Sequence, residues 1–175
     1  MAASDSTSSF SAPGPGAFEW PGPVALDERL TEEIARCERH GTQLSCLLLV
    51  VENLDEMAGE HGAELREQTL AYIAGALSKE LRRFDRVGMP SDREVLILLP
   101  GADSPRGEVV ARRVLDRSRA IKVEARGQRQ ALRIAVGLAA WQPDTSARQL
   151  IERARTAARR SRLGENGQAP GTPAH

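Results

Sequence analysis

Asp85, Ser91, Asp92, Arg93 and Glu94 are the residues of this chain best placed to do chemistry, because they crowd into one short polar stretch between two apolar runs. The stretch Leu81 to Pro100 reads LRRFDRVGMPSDREVLILLP, with Phe84 to Val87 before the polar cluster and Val95-Leu96-Ile97-Leu98-Leu99 after it. Gly88, Pro90, Ser91 and Asp92 supply turn chemistry, so the pattern predicts a β-hairpin whose second strand is buried. Polar groups at such a tip are lifted clear of the core and presented to a ligand or a partner. Asp92 and Glu94, two apart, with Glu52 at the end of an earlier apolar run, could form at most a crude acidic cation site; solvated turn carboxylates are the plainer expectation. His40, His61 and His175 are scattered, and Cys37 and Cys46 have no ligand neighbours at zinc spacing, so neither a metal cluster nor a catalytic triad is predicted.

The 175 residues, 41% of them hydrophobic, suit one domain with a real core and short appendages. Formal charge is zero, with 24 basic and 24 acidic residues, so no global field draws the chain to nucleic acid or an anionic membrane. Two cysteines are too few for a disulfide framework, and they are expected to be small buried apolar residues in a reducing, cytoplasmic setting. Residues 1–24, rich in Ser, Ala, Gly and Pro, read as a disordered tail without a signal-peptide pattern, and residues 165–175 read likewise. Phe10, Phe18 and Trp20 in that tail either pack loosely on the domain or form a short docking motif.

The elements that must position the hairpin follow from periodicity. Leu26, Leu30, Ile34 and Cys37 recur at helical spacing and Gly41 closes the run; Leu44 to Val51 is a continuous apolar strand, expected at the sheet centre with helices on both faces. A short polar helix to His61 and a longer one, carrying Leu65, Thr69, Tyr72, Ile73, Ala76 and Leu77 and reaching Leu81, lead into the hairpin. Asp103-Ser104-Pro105 caps a helix with Val110, Val114, Leu115 and Ile121 on its buried side. Residues 122–130 read as a polar hairpin loop into a core strand from Leu132 to Ala139. Asp144-Thr145-Ser146 then opens a last helix with Leu150, Ile151, Ala154 and Ala158 inward. Its arginines, Arg153, Arg155, Arg159, Arg160 and Arg162, have no interleaved aromatics for stacking bases and read as a solvated face. The expected class is α/β, one mixed central sheet flanked by helices.

That order of elements, with the strings ERHGTQLSCLLLV, RRFD, EVLILLP and IAVGLA, resembles the GGDEF domain of diguanylate cyclases over residues 26–164, within a domain expected to span 25–164. The resemblance implies a palm-like sheet, a GTP site at the hairpin and, in active members, condensation of two GTP into cyclic di-GMP across a homodimer. It also implies that the catalytic signature is eroded here. The family's Gly-Gly-Asp/Glu-Glu-Phe loop aligns with Ser91-Asp92-Arg93-Glu94-Val95, so only Glu94 survives, and Arg93 reverses the sign of a metal-binding acid. The leading acid of the first-strand motif aligns with Val50 in Val50-Val51-Glu52, and the guanine-binding Asn and Asp align with Ala58 and Gly59. Arg162 matches a family Lys near the end of the last helix. Phosphoryl transfer rests on Mg²⁺ held by such carboxylates, so no metal, cofactor or catalysis is expected.

A second family feature is kept. Arg82-Arg83-Phe84-Asp85 reproduces the Arg-x-x-Asp motif five residues before the loop, which in the family binds cyclic di-GMP as an inhibitor, and Arg113 falls at the position of an assisting Arg. Guanidinium groups pair bidentately with phosphates and guanine edges, and a carboxylate accepts from guanine N–H donors. The resemblance therefore implies a cyclic di-GMP receptor using Arg82, Asp85 and Arg113. The alternative is a nucleotide-independent interaction module for an unidentified protein partner, with residual cyclase activity a further possibility.

Overall fold

The computed structural model describes residues 20–165. Helix α1 (Pro23–His40) precedes strand β1 (Leu44–Val51), and α2 (Leu54–His61) and α3 (Ala63–Ser78) lead to the hairpin of β2 (Arg86–Ser91) and β3 (Glu94–Pro100). Helix α4 (Ser104–Arg119), the short strands β4 (Lys122–Ala125) and β5 (Gln128–Ala131), β6 (Ile134–Ala140) and α5 (Ala147–Glu165) complete the order.

The main sheet runs β2-β3-β1-β6, with β1 interior as its sequence, apolar but for Ser45, requires. The helix-flanked α/β class holds, but the strand directions are not mixed: all three ladders of this sheet are antiparallel. Successive β1 side chains go to opposite faces. Cys46 and Leu48 join Leu26, Leu30 and Ile34 of α1 and Leu150 and Ala154 of α5. Leu47, Leu49 and Val51 join Ile73 and Leu77 of α3 and Val114 of α4. Both cysteines are free and buried, and burial pushes the Cys46 thiol up to about 12, which removes it from thiolate chemistry.

Helix signals are obeyed locally. Gly41 closes α1 with φ 62. The Asp103 carboxylate accepts the Arg106 backbone N–H at 3.0 Å, and Ser146 and Gln149 exchange side-chain and backbone hydrogen bonds as a capping box ahead of α5. Helix α3 stops at Ser78 rather than reaching Leu81, and the backbone N–H of Glu80 turns back only three residues, to the Leu77 carbonyl, as in a tightened last turn.

Three expectations need correction. Gly88 and Pro90 are not at the hairpin tip but inside β2, where the register shifts between Gly88 and Ser91; Pro90 has no N–H for the ladder, and a Cβ on Gly88 would stand 2.6 Å from the Leu26 Cδ1 of α1. Phe84 and Asp85 precede the strand. Residues 122–130 hold a two-stranded sheet of their own, turned by Arg126 and Gly127, both at positive φ, as a two-residue hairpin turn requires. The folded part also begins before residue 25: Trp20 packs against the core, the Pro21 carbonyl accepts the Met89 N–H at 2.8 Å, and α1 starts with Pro23 in its first turn. Phe10 and Phe18, with the rest of residues 1–19 and 166–175, lie outside the described residues, whereas Glu165 of the second expected tail ends α5. Among those described, no helix is long and apolar enough to cross a membrane.

Candidate functional site

The polar residues singled out in the hairpin divide between its two ends. Asp85 lies before β2 with Arg82, whereas Ser91 ends that strand, Asp92 and Arg93 form the tip and Glu94 opens β3; the length of β2 separates the groups by roughly 20 Å. Each end must therefore be taken separately.

At the first end, α3 has already finished, and a tight turn holds Arg82 in place of a helix. The Asp85 carboxylate accepts the Arg82 backbone N–H at 2.7 Å, and the Asp85 N–H returns to the Arg82 carbonyl at 3.1 Å. Desolvation of the half-buried Asp85 carboxyl raises it above the usual carboxylate value, against the lowering effect of that hydrogen bond and of the Arg82 and Arg86 charges. Arg86 braces the turn by donating to the carbonyl of Arg83 at 3.1 Å. The α4 side is tied on by Arg117, whose Nε donates to Glu80 at 2.8 Å. Arg113 sits one helical turn before Arg117, on the same face of α4. Among the described residues, neither Arg82 nor Arg113 has a carboxylate within ion-pair distance of its guanidinium. Phe84, in the middle of the turn, is 70% exposed.

At the second end lies a cleft of about 470 Å³. Its floor is a row of cross-strand partners, Glu94 on β3, Val50 on β1 and Ala135 on β6, so these side chains share the face covered by α5. Its wall is α5, which contributes Arg155, Arg159 and Arg162. Arg155 grips Glu94 with a two-pronged fork: Nε donates to Oε2 and Nη2 to Oε1, both at 2.9 Å, while Nη1 reaches Glu152. Arg162 pairs with Glu52 at 3.3 Å. Arg93, at the exposed tip, lies 3.8 Å from Asp55 of α2, which is itself held by Arg66 at 2.6 Å. That Arg66 hydrogen bond is the main reason the Asp55 carboxyl sits below its ordinary value.

The charges of the cleft are thus largely spent on one another. Partial burial raises the Glu94 carboxyl, but the Arg155 hydrogen bonds, one from Ser91 and the charges of Arg155 and Arg93 outweigh it and leave it below its ordinary 4.5. A depressed acid stabilises the fold above its unfolded value and loses that contribution as pH falls through its folded value. Glu94→Gln is therefore expected to lower stability by about 1.5–3 kcal/mol at neutral pH, the range for a charge-assisted hydrogen bond. Denaturant unfolding should show the gap closing below pH 4.5. A gap of equal size on the acid side would show that the charge is not its source.

These residues do not fit the divalent cation that the sequence resemblance associates with this place. Both oxygens of Glu94 are taken by Arg155, Glu52 is engaged by Arg162, and Val50 beside Glu94 offers no donor. Among the described residues no group of three or more His, Cys, Asp or Glu is arranged to hold a metal. Asp92 is exposed at the tip, Val95 is core, and Ala58 and Gly59 on α2 do not line the cleft. Four of the five α5 arginines, Arg153, Arg159, Arg160 and Arg162, are exposed as a solvated face requires, although Arg159 and Arg162 also line the cleft; Arg155 alone is drawn inward. The missed signal was the position of Arg155 directly after Ala154 and of Arg159 directly after Ala158, small residues that bring α5 close to the sheet.

Comparison with known proteins places the whole domain. Residues 21–168 match the description "Diguanylate cyclase, GGDEF domain". Diguanylate cyclase DgcP of Pseudomonas aeruginosa is 27% identical over 134 residues, which are 77% of this chain and 20% of that protein. Diguanylate cyclase SiaD of Pseudomonas aeruginosa, solved in complex with its activator SiaC, is similar with TM-score 0.77 and 28% identity, over 83% of this chain and 56% of that one. The chain thus spans about a fifth of one relative and little more than half of the other. The GGDEF domain of DgcB from Caulobacter crescentus, solved in complex with c-di-GMP, shares the fold with TM-score 0.72 at 19% identity, over 84% of this chain and 88% of that one.

Proposed function

The chain belongs to the GGDEF family of diguanylate cyclases, and from that premise we propose that it is a catalytically inactive member acting as a cyclic di-GMP receptor through Arg82, Asp85 and Arg113. The observation that carries this reading is the contrast between the two ends of the hairpin. In the cleft every acid that could serve a metal is held by an arginine of α5. At the other end the Arg82 backbone is held by Asp85, and the guanidinium groups of Arg82 and of Arg113, on the α4 face that Arg117 ties to Glu80, are without ion pairs among the described residues. Guanidinium groups that carry no internal ion pair suit a phosphodiester. A relative of the same fold, DgcB, is known in complex with this ligand, and a ligand with two equivalent halves could also bridge two copies of the domain.

Calorimetric titration with cyclic di-GMP is the direct test, and saturable binding is expected. A flat titration at high protein concentration would move the function to a protein-interaction module, for which the exposed Phe84 beside Arg82 and Arg83 is the natural anchor. Incubation with GTP and Mg²⁺ or Mn²⁺ should give no cyclic di-GMP. Product above the blank that disappears with Glu94→Gln would overturn the inactive assignment.

A further inference from the structure

We propose that Arg155 is the resident cation of the α5 cleft, a guanidinium that keeps divalent metal out even where a second carboxylate is supplied. The inference deepens the inactive-cleft half of the reading above, and it stands on geometry particular to this chain.

Glu94 is 8% exposed, and a carboxylate removed from water must be paired. The sheet provides no cation, because the cross-strand partners of Glu94 are Val50 and Ser91 and the next residue in the row is Ala135. The cation comes from α5, whose depth is set by close packing: Gly137 of β6 leaves room for the backbone of Ala154 and Ala158. Arg155 follows Ala154 in the chain, so it is delivered against the sheet at the level of Glu94. Its fork takes both carboxylate oxygens, and its third nitrogen is anchored by Glu152. A metal ion approaching Glu94 would have to break two charge-assisted hydrogen bonds and would meet a positive charge already in place.

Val50 makes the inference testable, since it is the direct cross-strand partner of Glu94 and half-buried on the same face. Val50→Asp would set a second carboxylate about 5 Å from the first, Cβ to Cβ. Mn²⁺ binding, read by the loss of the free-ion electron paramagnetic signal, is expected to be absent in the parent and in Val50→Asp. It should appear in Val50→Asp/Arg155→Met, at least roughly tenfold tighter than in Val50→Asp, a difference of about 1.4 kcal/mol, and vanish again when Glu94→Gln is added. Equal binding by Val50→Asp with and without Arg155, or none by a folded double variant, overturns the proposal.

Should the double variant not fold, the parent supplies the answer through the Arg155 Nε–H resonance, assigned by its loss in Arg155→Lys. Titrated Mn²⁺ should leave it sharp, and selective broadening would mean that metal reaches Glu94 despite the fork. Neither readout involves cyclic di-GMP or cyclase product, so a failure here leaves the receptor reading standing, and a flat cyclic di-GMP titration leaves this one standing.

Discussion

Gly137→Ala should destabilise the domain by roughly 3 kcal/mol or more, at or beyond the upper end of the usual range for overpacking. The added Cβ would stand 2.1 Å from the Ala154 carbonyl oxygen and 2.3 Å from the Ala158 backbone nitrogen. Those are backbone atoms of a helix, so no side-chain rotation relieves the clash and α5 must move away from β6 as a body. Moving α5 would also withdraw Arg155 from Glu94, leaving a poorly hydrated carboxylate without its partner. Denaturant unfolding should therefore show a much lower midpoint, with Gly59→Ala as the control. Gly59 is helical and a Cβ there meets nothing within 4 Å, so that change should be neutral or stabilising by up to about 1 kcal/mol. If Gly137→Ala is as stable as the parent, α5 is not seated as described, and the origin given for the Arg155 fork fails with it.

The second large effect concerns ligand binding. Arg82→Ala should weaken cyclic di-GMP by about 1.5–3 kcal/mol, the range for a hydrogen bond to a charged group, or roughly ten- to a hundredfold. The substitution keeps the backbone N–H that Asp85 accepts, so the turn should persist and the loss should report the guanidinium alone. Arg113→Ala should act in the same direction, because it approaches from the face of α4 that Arg117 pins to Glu80. Glu94→Gln, at the other end of β2, should lower stability yet leave affinity nearly unchanged. Arg82 and Asp85 variants that bind like the parent, beside a Glu94 variant that does not, would move the ligand to the cleft.

The sequence by itself determined the elements, and the physical reason is that their signals are local. The run Leu44 to Val51, apolar but for Ser45, has the length and composition of a strand covered on both faces, and it is the interior strand. The helical spacing of Leu26, Leu30, Ile34 and Cys37, with Gly41 behind it, fixed α1, and Asp103-Ser104-Pro105 fixed the start of α4. The strings around the hairpin were enough to point to the family that residues 21–168 match. Local signals failed where long-range packing overrode them: Gly88 reads as a turn residue, but it sits inside β2 because Leu26, sixty residues earlier in rough terms, occupies the space above it.

Only the tertiary structure decided how the candidate residues group. In sequence Asp85 and Glu94 belong to one polar cluster, and an extended strand between them carries them to opposite ends of the sheet. Arg155 reads as one more arginine on a charged helix, because nothing within a few residues of it announces Glu94, which lies 61 positions away. An ion pair between distant positions depends on how closely a helix approaches a sheet, and here that approach is set by Gly137, Ala154 and Ala158. The sequence therefore gathered the candidate residues at the hairpin, and the seating of α5 decided that Glu94 among them is engaged by Arg155.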